Sequence, residues 1–226
     1  GCTAFSTPIN VNSISQGQTP NVGAAYHCGP GSVILHAHAS DTVFWYEASS
    51  GNLLGFGNSF STPTINTTTY FLARTSSVCP SASVTVVAEI RDVSASPIAY
   101  DNFTCGTGSV ALSASSVEPL TWYTIGGTLL ATGSVYITRA LAATTQYYVV
   151  AGSTCPSQPT FVTASVYPAP SVYLGSDTAI LSGSSFTLDA GPSFSDYLWS
   201  TGATTQSIVV NSADLYSVTV TDVNNC

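Results

Sequence analysis

Apolar and polar side chains alternate along most of the chain, in short runs separated by glycine, proline, serine and asparagine. In residues 33–38, for example, Val33, Leu35 and Ala37 would point to one face of a strand and the residues between them to the other. The runs are rich in Val, Thr, Tyr and Phe, which favour strands, and no segment shows a helical period. The pattern predicts an all-β protein of the sandwich type, with Val33, Leu35 and Ala37 in the core.

One sequence motif occurs twice, and its repetition divides the chain into domains. Cys28-Gly29-Pro30-Gly31-Ser32-Val33-Ile34-Leu35 returns as Cys105-Gly106-Thr107-Gly108-Ser109-Val110-Ala111-Leu112. A Trp-Tyr pair follows each copy, and a looser third copy leads to a third tryptophan. We predict three tandem Ig-like β-sandwich domains in an elongated array: domain 1 (residues 14–93), domain 2 (94–168) and domain 3 (169–226). An N-terminal segment, residues 1–13, precedes them, and the expected core anchors are Trp45, Trp122 and Trp199.

Four of the six cysteines recur at matching places, Cys28 and Cys79 in the first repeat and Cys105 and Cys155 in the second. Domains of about 75 residues bury little core and gain from a covalent link. We therefore expect one disulfide within each full domain, Cys28 with Cys79 and Cys105 with Cys155. Both cysteines must then lie at the same end of the sandwich, which requires residues 53–63 to count as one bent strand. Disulfides place the protein outside the cell, secreted or at the cell surface.

The composition limits the possible partners. Charged residues make up 6% of the chain, against about 25% in an average protein, and the formal net charge is −8. A chain this acidic is unsuited to phosphate backbones or anionic lipid surfaces. No apolar run approaches the ~18 residues of a membrane span. We expect no nucleic-acid partner, no membrane insertion and no cofactor.

The repeated residues resemble a known family. Cys-Gly-x-Gly-Ser-Val-x-Leu, then Trp-Tyr, then Thr-Thr-x-Tyr (ending at Tyr70 and Tyr147) and Cys-Pro-Ser are similar to the Ig-like repeats of large Bacteroidetes surface and secreted proteins. Residues 197–208 and 215–222 resemble the related PKD-like modules. The resemblance implies a spacer or contact role, as in adhesins and surface fibres. Domain 3 departs from the pattern at Leu181, where the first cysteine of a pair would be expected.

The two ends of the chain look complementary. Residues 2–11 match the closing strands that begin at Cys79 and Cys155, whereas domain 3 stops at Cys226, where its closing strand would begin. A sandwich that lacks its last strand exposes an edge that a neighbour can fill. We hypothesise that the N-terminal segment of one copy completes domain 3 of the next, head to tail. The inter-subunit junction would comprise Cys2, Phe5, Ile9, Val11, Leu181 and Cys226, with Cys2 and Cys226 close enough to bond. The alternative is a window of a longer array, in which neighbouring repeats supply these contacts.

Few residues indicate chemistry. His36 and His38 share the outward face of a strand, but two imidazoles without further ligands favour an exposed polar pair over a zinc site. No positioned base, nucleophile turn or facing carboxylate pair is recognisable, so we expect no enzyme. Asn66 and Asn102 fit the N-glycosylation pattern, and Thr42 and Thr178 resemble a Bacteroidetes O-glycosylation motif.

These observations predict a non-catalytic structural subunit or repeat of an extracellular fibre or adhesin, whose partners are copies of itself or neighbouring repeats of the same chain. The alternative function is a glycan-binding accessory region of a larger secreted hydrolase, with surface glycans as partners. An exposed aromatic platform would favour the glycan-binding alternative. Tyr70, Tyr147 and Tyr216 sit at matching strand positions and are expected to pack into the core or at a corner of the sandwich instead.

Overall fold

The structure is a computed structural model that describes residues 7–10, 16–75 and 79–226. It divides into two units, residues 1–93 and 94–226, and the second unit contains domains 2 and 3. The described residues form strands and turns and contain no helix. The sequence prediction of an all-β protein is confirmed.

Domain 1 consists of eight strands in two sheets. Strands β2, β8, β7, β4 and β5 form one sheet in that order, and β1, β3 and β6 form the other. Their bounds are β1 Asn21–Val22, β2 Ala25–Cys28, β3 Ile34–His38, β4 Val43–Glu47, β5 Leu53–Phe56, β6 Ser59–Ser61, β7 Thr69–Thr75 and β8 Val84–Arg91.

Domain 2 repeats this architecture strand for strand. A five-stranded sheet, β10-β16-β15-β12-β13, faces a three-stranded sheet, β14-β11-β9. The strands are β9 Ile98–Tyr100, β10 Asn102–Cys105, β11 Ala111–Ser115, β12 Leu120–Thr124, β13 Leu129–Thr132, β14 Val135–Ile137, β15 Thr145–Ala151 and β16 Thr160–Tyr167.

The alternation of side chains builds each core. In β3, Leu35 and Ala37 are buried while His36 and His38 are exposed, and Val33 is buried just before the strand. The core of domain 1 therefore draws on β3 from one sheet and on Trp45 of β4 from the other. Domain 2 uses the equivalent residues, including Leu112 and Trp122. Two sheets that bury one face each against a shared core are the Ig-like sandwich.

One tyrosine match is off by a residue. Thr68 and Thr144 are equivalent, because each hydroxyl accepts a hydrogen bond from a closing-strand amide. Tyr147 is therefore equivalent to Phe71 and not to Tyr70. Tyr147 is 6% exposed and its pKa is raised, mainly by burial, whereas Tyr70 is 55% exposed. A shift of one residue moves a side chain to the opposite face of a strand, so the expectation of a buried Tyr70 is wrong.

The stretch 53–63 also differs from the prediction. It changes sheets, as expected, but β5 pairs antiparallel with β4 while β6 pairs antiparallel with β3. Because the chain reverses between β3 and β4, it must reverse again between β5 and β6. The stretch therefore makes two passes, and an odd number of passes separates the end of β2 from the end of β7.

Domain 3 is built from four strands. β17 Phe186–Asp189 pairs with β19 Ser207–Val210, and β18 Asp196–Trp199 pairs with β20 Val218–Thr221. These pairs correspond to β11 with β14 and β12 with β15 of domain 2. The core is small, since its buried apolar side chains are Ala190, Trp199, Ile208 and Val210.

Candidate interaction sites

The opening cysteines lie where each closing strand ends. Cys28 ends β2, which runs parallel to β8 and places Cys28 opposite Arg91, the last residue of that strand. Cys105 stands likewise opposite Tyr167 at the end of β16. The following glycine, Gly29 or Gly106, has a φ of 72° and donates to the carbonyl of that last residue. The opening motif therefore holds its cysteine at the exit end of the domain, from which the chain runs on.

The second glycine of the motif is required for close packing. A Cβ on Gly31 would lie within 2.7 Å of three atoms of the His27 ring, and one on Gly108 would lie 2.6 Å from the Thr104 hydroxyl. Each glycine also forms a backbone bridge across the domain, to Ile65 and Leu141 respectively. The Cys-Gly-x-Gly motif thus fixes the position of its cysteine through the backbone packing and hydrogen bonds of the two glycines.

The Cys-Pro-Ser motif forms a second fixed loop at the opposite end. The hydroxyl of Ser81 accepts the backbone N–H of Thr75 at 3.0 Å, and that of Ser157 accepts the N–H of Ala151 at the same distance. The carbonyl of Cys79 accepts from Gly17 N at 3.1 Å, and that of Cys155 accepts from the equivalent Ser94 at 3.0 Å. Cys79 and Cys155 therefore lie where the chain enters domains 1 and 2.

The disulfides differ from the predicted ones. Cys105 is bonded to Cys226, with an S–S distance of 2.10 Å and a Cα–Cα distance of 5.5 Å. The prediction that Cys105 pairs with Cys155 is therefore wrong, and the bond between Cys2 and Cys226 that the head-to-tail hypothesis allowed does not form, since Cys226 is bonded elsewhere. Cys28 and Cys155 are each in a disulfide, whereas Cys79 is unpaired among the cysteines that the structure describes. The predicted Cys28–Cys79 bond is therefore wrong as well.

The physical reason is the extra reversal between β5 and β6. An odd number of passes puts the opening and closing cysteines of one domain at opposite ends of the sandwich. A disulfide requires Cα atoms within about 7 Å, so the two cannot meet across the length of a domain. The Cys105–Cys226 bond instead joins the exit end of domain 2 to the loop that follows the penultimate strand in the pattern, β20, in domain 3.

The three tryptophans are the core anchors that the repeat predicted. Trp45, Trp122 and Trp199 are all buried, and each indole N–H finds a backbone carbonyl. The acceptors are Gly57 at 2.8 Å, Gly133 at 2.7 Å and Thr205 at 2.7 Å. A buried indole N–H needs such a partner, so the turn beside each tryptophan is tied to the core.

The predicted junction is partly described. Cys2, Phe5 and Val11 lie outside the described residues. Ile9 is 88% exposed and Leu181 is 81% exposed, so neither packs into a core. The predicted junction role of these residues stays a prediction.

The clearest unsatisfied edge belongs to β20. Its one strand partner in the described part of the chain is β18, whereas the equivalent β15 is paired on both sides. The carbonyls of Ser217 and Thr221 accept hydrogen bonds from Ser200 and Ser195, on the β18 side. Backbone groups alternate in direction along a strand, so those of Val218 and Val220 face the open edge.

The loop after β20 is held by one carboxylate. Asp222 accepts the backbone N–H groups of Asn224 and Cys226, and its backbone N–H donates to the carbonyl of Cys226. The Cys226 amide, more than the two groups of Asn224, lowers the pKa of Asp222. The loop that carries Cys226 is thus ordered by charge, where the loops of Cys79 and Cys155 use a serine hydroxyl.

Domain 2 carries a row of aromatic side chains on the outward face of its larger sheet, which sequence reasoning missed. Tyr123, Tyr148 and Phe161 are direct neighbours across β12, β15 and β16. The two tyrosine rings stack with centroids 5.1 Å apart, and Phe161, 62% exposed, meets Tyr148 edge-on at 6.0 Å. We call these three residues the aromatic row. The alternation around Trp122 already placed Tyr123 outward, which was the available signal.

Domain 1 lacks this row. The positions of Tyr148 and Phe161 are taken by Leu72, which pairs with Tyr46, and by Thr85, which pairs with Leu72. Arg74 covers the Tyr46 ring at 4.3 Å from its centroid and donates to its hydroxyl at 2.9 Å. The two domains therefore share a fold and present different outer faces.

The remaining candidates are surface groups. Asn66, Asn102, Thr42 and Thr178 are all exposed, as glycosylation would require, although Asn102 already donates its side-chain amide to Ala111 O at 2.9 Å. Within the described ranges, no group of three or more His, Cys, Asp or Glu residues is placed to hold a metal ion. The same ranges contain no helix long and apolar enough to cross a membrane.

Solved structures with a similar arrangement are distant in sequence. The fibronectin(III)-like modules of Clostridium thermocellum CbhA are 11% identical, with a TM-score of 0.44, over 66% of this chain and 95% of that one. Three consecutive titin Ig domains are 11% identical, with a TM-score of 0.41, over 92% and 95% of the two chains. Domains 3–5 of the extracellular part of Drosophila OTK are 11% identical, with a TM-score of 0.35, over 92% and 95%. These likenesses are too weak to indicate function.

No curated protein matches the chain. A family profile does match it twice, at residues 17–90 and 94–168, which together make up more than half of the sequence. The two matches coincide with the two eight-stranded sandwiches and include both copies of the opening motif. The chain belongs to the family described as the CHU_C-associated Ig-like domain.

Proposed function

We propose that the chain is a non-catalytic structural segment of an extracellular fibre or adhesin and that it assembles head to tail by strand complementation. Ig-like repeats are structural or adhesive modules, and disulfide-bonded Ig-like domains are typical of extracellular proteins. The observation that carries the proposal is the open edge of β20 in domain 3.

An open edge of this kind has a defined complement. In domain 2 the strand beside β15 is β16, which runs antiparallel to it and buries Val162 and Ala164 in the core. Domain 3 offers the equivalent edge on β20, and Val218 and Val220 are only partly buried against its small core. An added strand would satisfy the free backbone groups and cover these side chains.

The N-terminal segment of another copy has the sequence for this role. Residues 2–11 match the start of both closing strands, 79–86 and 155–162, with apolar residues at alternate positions. Ile9, in the described part of that segment, exposes its side chain. A contact between unlike ends of identical chains yields an open filament when its rotation does not close a ring. Because Cys226 is bonded to Cys105, the proposed contact is non-covalent.

Sedimentation velocity and electron microscopy across a concentration series test this assembly. We expect concentration-dependent oligomers and filaments from the native chain. Ile9→Asp should abolish them, because a charge on the donor strand cannot enter an apolar core. Val117→Asp is the matched control, since Val117 is 97% exposed in domain 2 and outside the proposed contact.

A native chain that remains monomeric up to its solubility limit would overturn the proposal. So would filaments that persist unchanged in the Ile9→Asp variant. A synthetic peptide of residues 1–13 provides an independent check, because it should cap domain 3 and shorten the filaments.

The aromatic row favours a second candidate function, glycan binding by domain 2. Aromatic rings on an exposed sheet face can stack on the apolar faces of sugar rings, and Phe161 is 62% exposed beside Tyr148, whose ring stacks on Tyr123. Pull-down with insoluble cellulose, chitin and xylan tests it. Tyr148→Leu introduces the residue type that domain 1 has at this place and should release a bound polysaccharide. Tyr173→Leu, at an exposed tyrosine of domain 3, should not. Equal retention of both variants would exclude the row as the site.

A further inference from the structure

We propose that Cys79 is the docking point for the opening cysteine of another Ig-like module placed ahead of domain 1. One disulfide then crosses the junction between that module and domain 1. The partner is a module with the Cys-Gly-x-Gly-Ser motif, and the new bond joins its Sγ to Sγ of Cys79. This inference is independent of the strand complementation proposed above.

The bonding rule comes from the junction of domains 2 and 3. Cys105 belongs to the opening motif of domain 2, and Cys226 follows the penultimate strand of domain 3. The bond therefore runs from the opening cysteine of one module to the closing-loop cysteine of the next. Bonding within one module is prevented because its two cysteines lie at opposite ends of the sandwich.

The loop of Cys79 has the same geometry as a loop whose cysteine is bonded. Cys79 and Cys155 each accept a backbone hydrogen bond through the carbonyl, at 3.1 and 3.0 Å, and each is followed by a serine that closes the loop at 3.0 Å. Cys155 is in a disulfide and Cys79 is not. The equivalent cysteines of the other two domains are thus both bonded, and Cys79 is the exception among them.

The position of Cys79 selects the partner. Its carbonyl bonds Gly17, so it lies at the end where the chain enters domain 1 and faces whatever module comes before. Domain 3 carries Leu181 in place of an opening cysteine, so the rule predicts no such bond from domain 3 to a module after it. Cys79 is also partly exposed, which leaves its thiol accessible to a partner.

The reaction requires an oxidant, which we take to be the disulfide of oxidised glutathione or of a dithiol oxidoreductase. One thiolate attacks the oxidant disulfide, forms a mixed disulfide and releases one thiol. The second thiolate then attacks the mixed disulfide and releases the second thiol. Two protein thiols thus give up two protons and two electrons, which reduce one oxidant disulfide to two thiols.

The test extends the chain by one module. In the extended chain, residues 1–93 are followed by residues 17–226, so that a second copy of domain 1 precedes the native one. Ile34→Val and Thr85→Ser, both at exposed positions, mark the peptides of the first copy. Cys2→Ser removes the one cysteine of the N-terminal segment, residues 1–13. Both chains are refolded in glutathione buffer, alkylated and mapped by peptic digestion and mass spectrometry.

In the native-length chain we expect Cys79 to be fully alkylated and Cys105 to be linked to Cys226. In the extended chain the Cys79 of the second copy should become protected and appear linked to the Cys28 of the first copy. Cys28→Ser in the first copy is the control, and it should restore full alkylation of that Cys79.

Two results would overturn the proposal. One is full alkylation of the second-copy Cys79 in the extended chain, or its linkage to the Cys28 of its own copy. The other needs no extended chain: a Cys105–Cys155 or Cys28–Cys79 peptide from the folded native-length chain would contradict the bonding rule directly.

Discussion

Domains 2 and 3 bury the same core motif among different numbers of described strands. Both lie within the described ranges, and both bury a tryptophan whose indole N–H donates to a turn carbonyl. The core of domain 2 has eight strands and ten buried apolar side chains including Trp122, whereas that of domain 3 has four described strands and four such side chains including Trp199. The anchor is therefore buried in both domains, but the size of the core follows the number of strands around it.

The two domains also order the loop after their penultimate strand by different means. Domain 2 uses the neutral hydroxyl of Ser157, and domain 3 uses the carboxylate of Asp222 together with the bond from Cys226 to Cys105. A small core needs more support from charge and covalent linkage than a large one.

Replacement of the core tryptophan should produce the largest difference in stability between domains 2 and 3. Trp122→Ala should lower the free energy of unfolding of domain 2 by about 3–5 kcal/mol, the usual cost of deleting a buried tryptophan side chain. Trp199→Ala removes a similar amount from a core less than half as large, so domain 3 should unfold outright. Limited proteolysis with circular dichroism measures both, with exposed Val117→Ala as control. A protease-resistant domain 3 in the Trp199→Ala variant would contradict the expected dependence of the smaller core on its tryptophan.

Loss of the disulfide should affect domain 3 selectively. Cys105→Ser combined with Cys226→Ser opens a loop of 121 residues, which should cost domain 3 about 2–5 kcal/mol. Urea unfolding followed by the fluorescence of Trp199, with Trp45 and Trp122 replaced by Phe in every chain compared, measures it. Cys79→Ser is the matched control and should leave this transition unchanged, since Cys79 has no disulfide to lose. An equal shift of the urea unfolding transition in both variants would show that loss of the disulfide is not its cause.

Removal of an equivalent buried threonine hydroxyl should destabilise domains 1 and 2 by similar amounts. Thr138 Oγ1 accepts the N–H of Val110 at 2.9 Å, and Thr62 Oγ1 accepts that of Val33 at 3.0 Å. Thr138→Val leaves the Val110 N–H buried and unpaired, which should cost about 1–3 kcal/mol. Thr62→Val should cost domain 1 a similar amount, measured by urea unfolding. Exposed Thr128→Val is the control, and a negligible loss at Thr138 would mean that the amide finds another partner.

The smallest expected effect is a pH dependence of the loop that carries Cys226 in domain 3. The hydrogen bonds from Cys226 and Asn224 lower the pKa of Asp222, and those from Gln206 and Gly191 lower the pKa of Asp189. A lowered carboxyl pKa contributes stability above the unfolded-state value of about 3.9, and this is lost as the pH falls through the folded-state value. Hydrogen exchange of the Cys226 amide should therefore accelerate on acidification below about pH 4, relative to the intrinsic rate, while that of Ala151 does not. Asp222→Asn should remove most of the pH dependence at Cys226.

Much of each sandwich could be predicted from the alternation of side chains. Leu35, Ala37 and Trp45 are buried and His36 and His38 exposed, because a strand sends successive side chains to opposite faces. The repeat then carried the same assignment to Leu112 and Trp122. The register between the two repeats is not evident from the sequence around Tyr70 and Tyr147. The hydrogen bonds of Thr68 and Thr144 place these two tyrosines one residue out of step.

The cysteine pairing could not be predicted from spacing. Two glycines between Leu54 and Asn58 are compatible with a bent strand and with a reversal, and the number of passes depends on which occurs. The aromatic row was missed for a related reason, because Tyr123, Tyr148 and Phe161 become neighbours only through the register of three strands.

The strands, the number of repeats and the residue that anchors each core follow from the sequence alone, because these depend on local alternation and on a repeated motif. Which cysteines meet, and which outward side chains become neighbours, follows only from the three-dimensional fold. Both depend on the direction in which each strand runs and on the sheet that it joins. In this chain the reversals after Phe56 in domain 1 and after Thr132 in domain 2 separate the cysteines of each domain, and Cys105 consequently bonds to the next domain through Cys226.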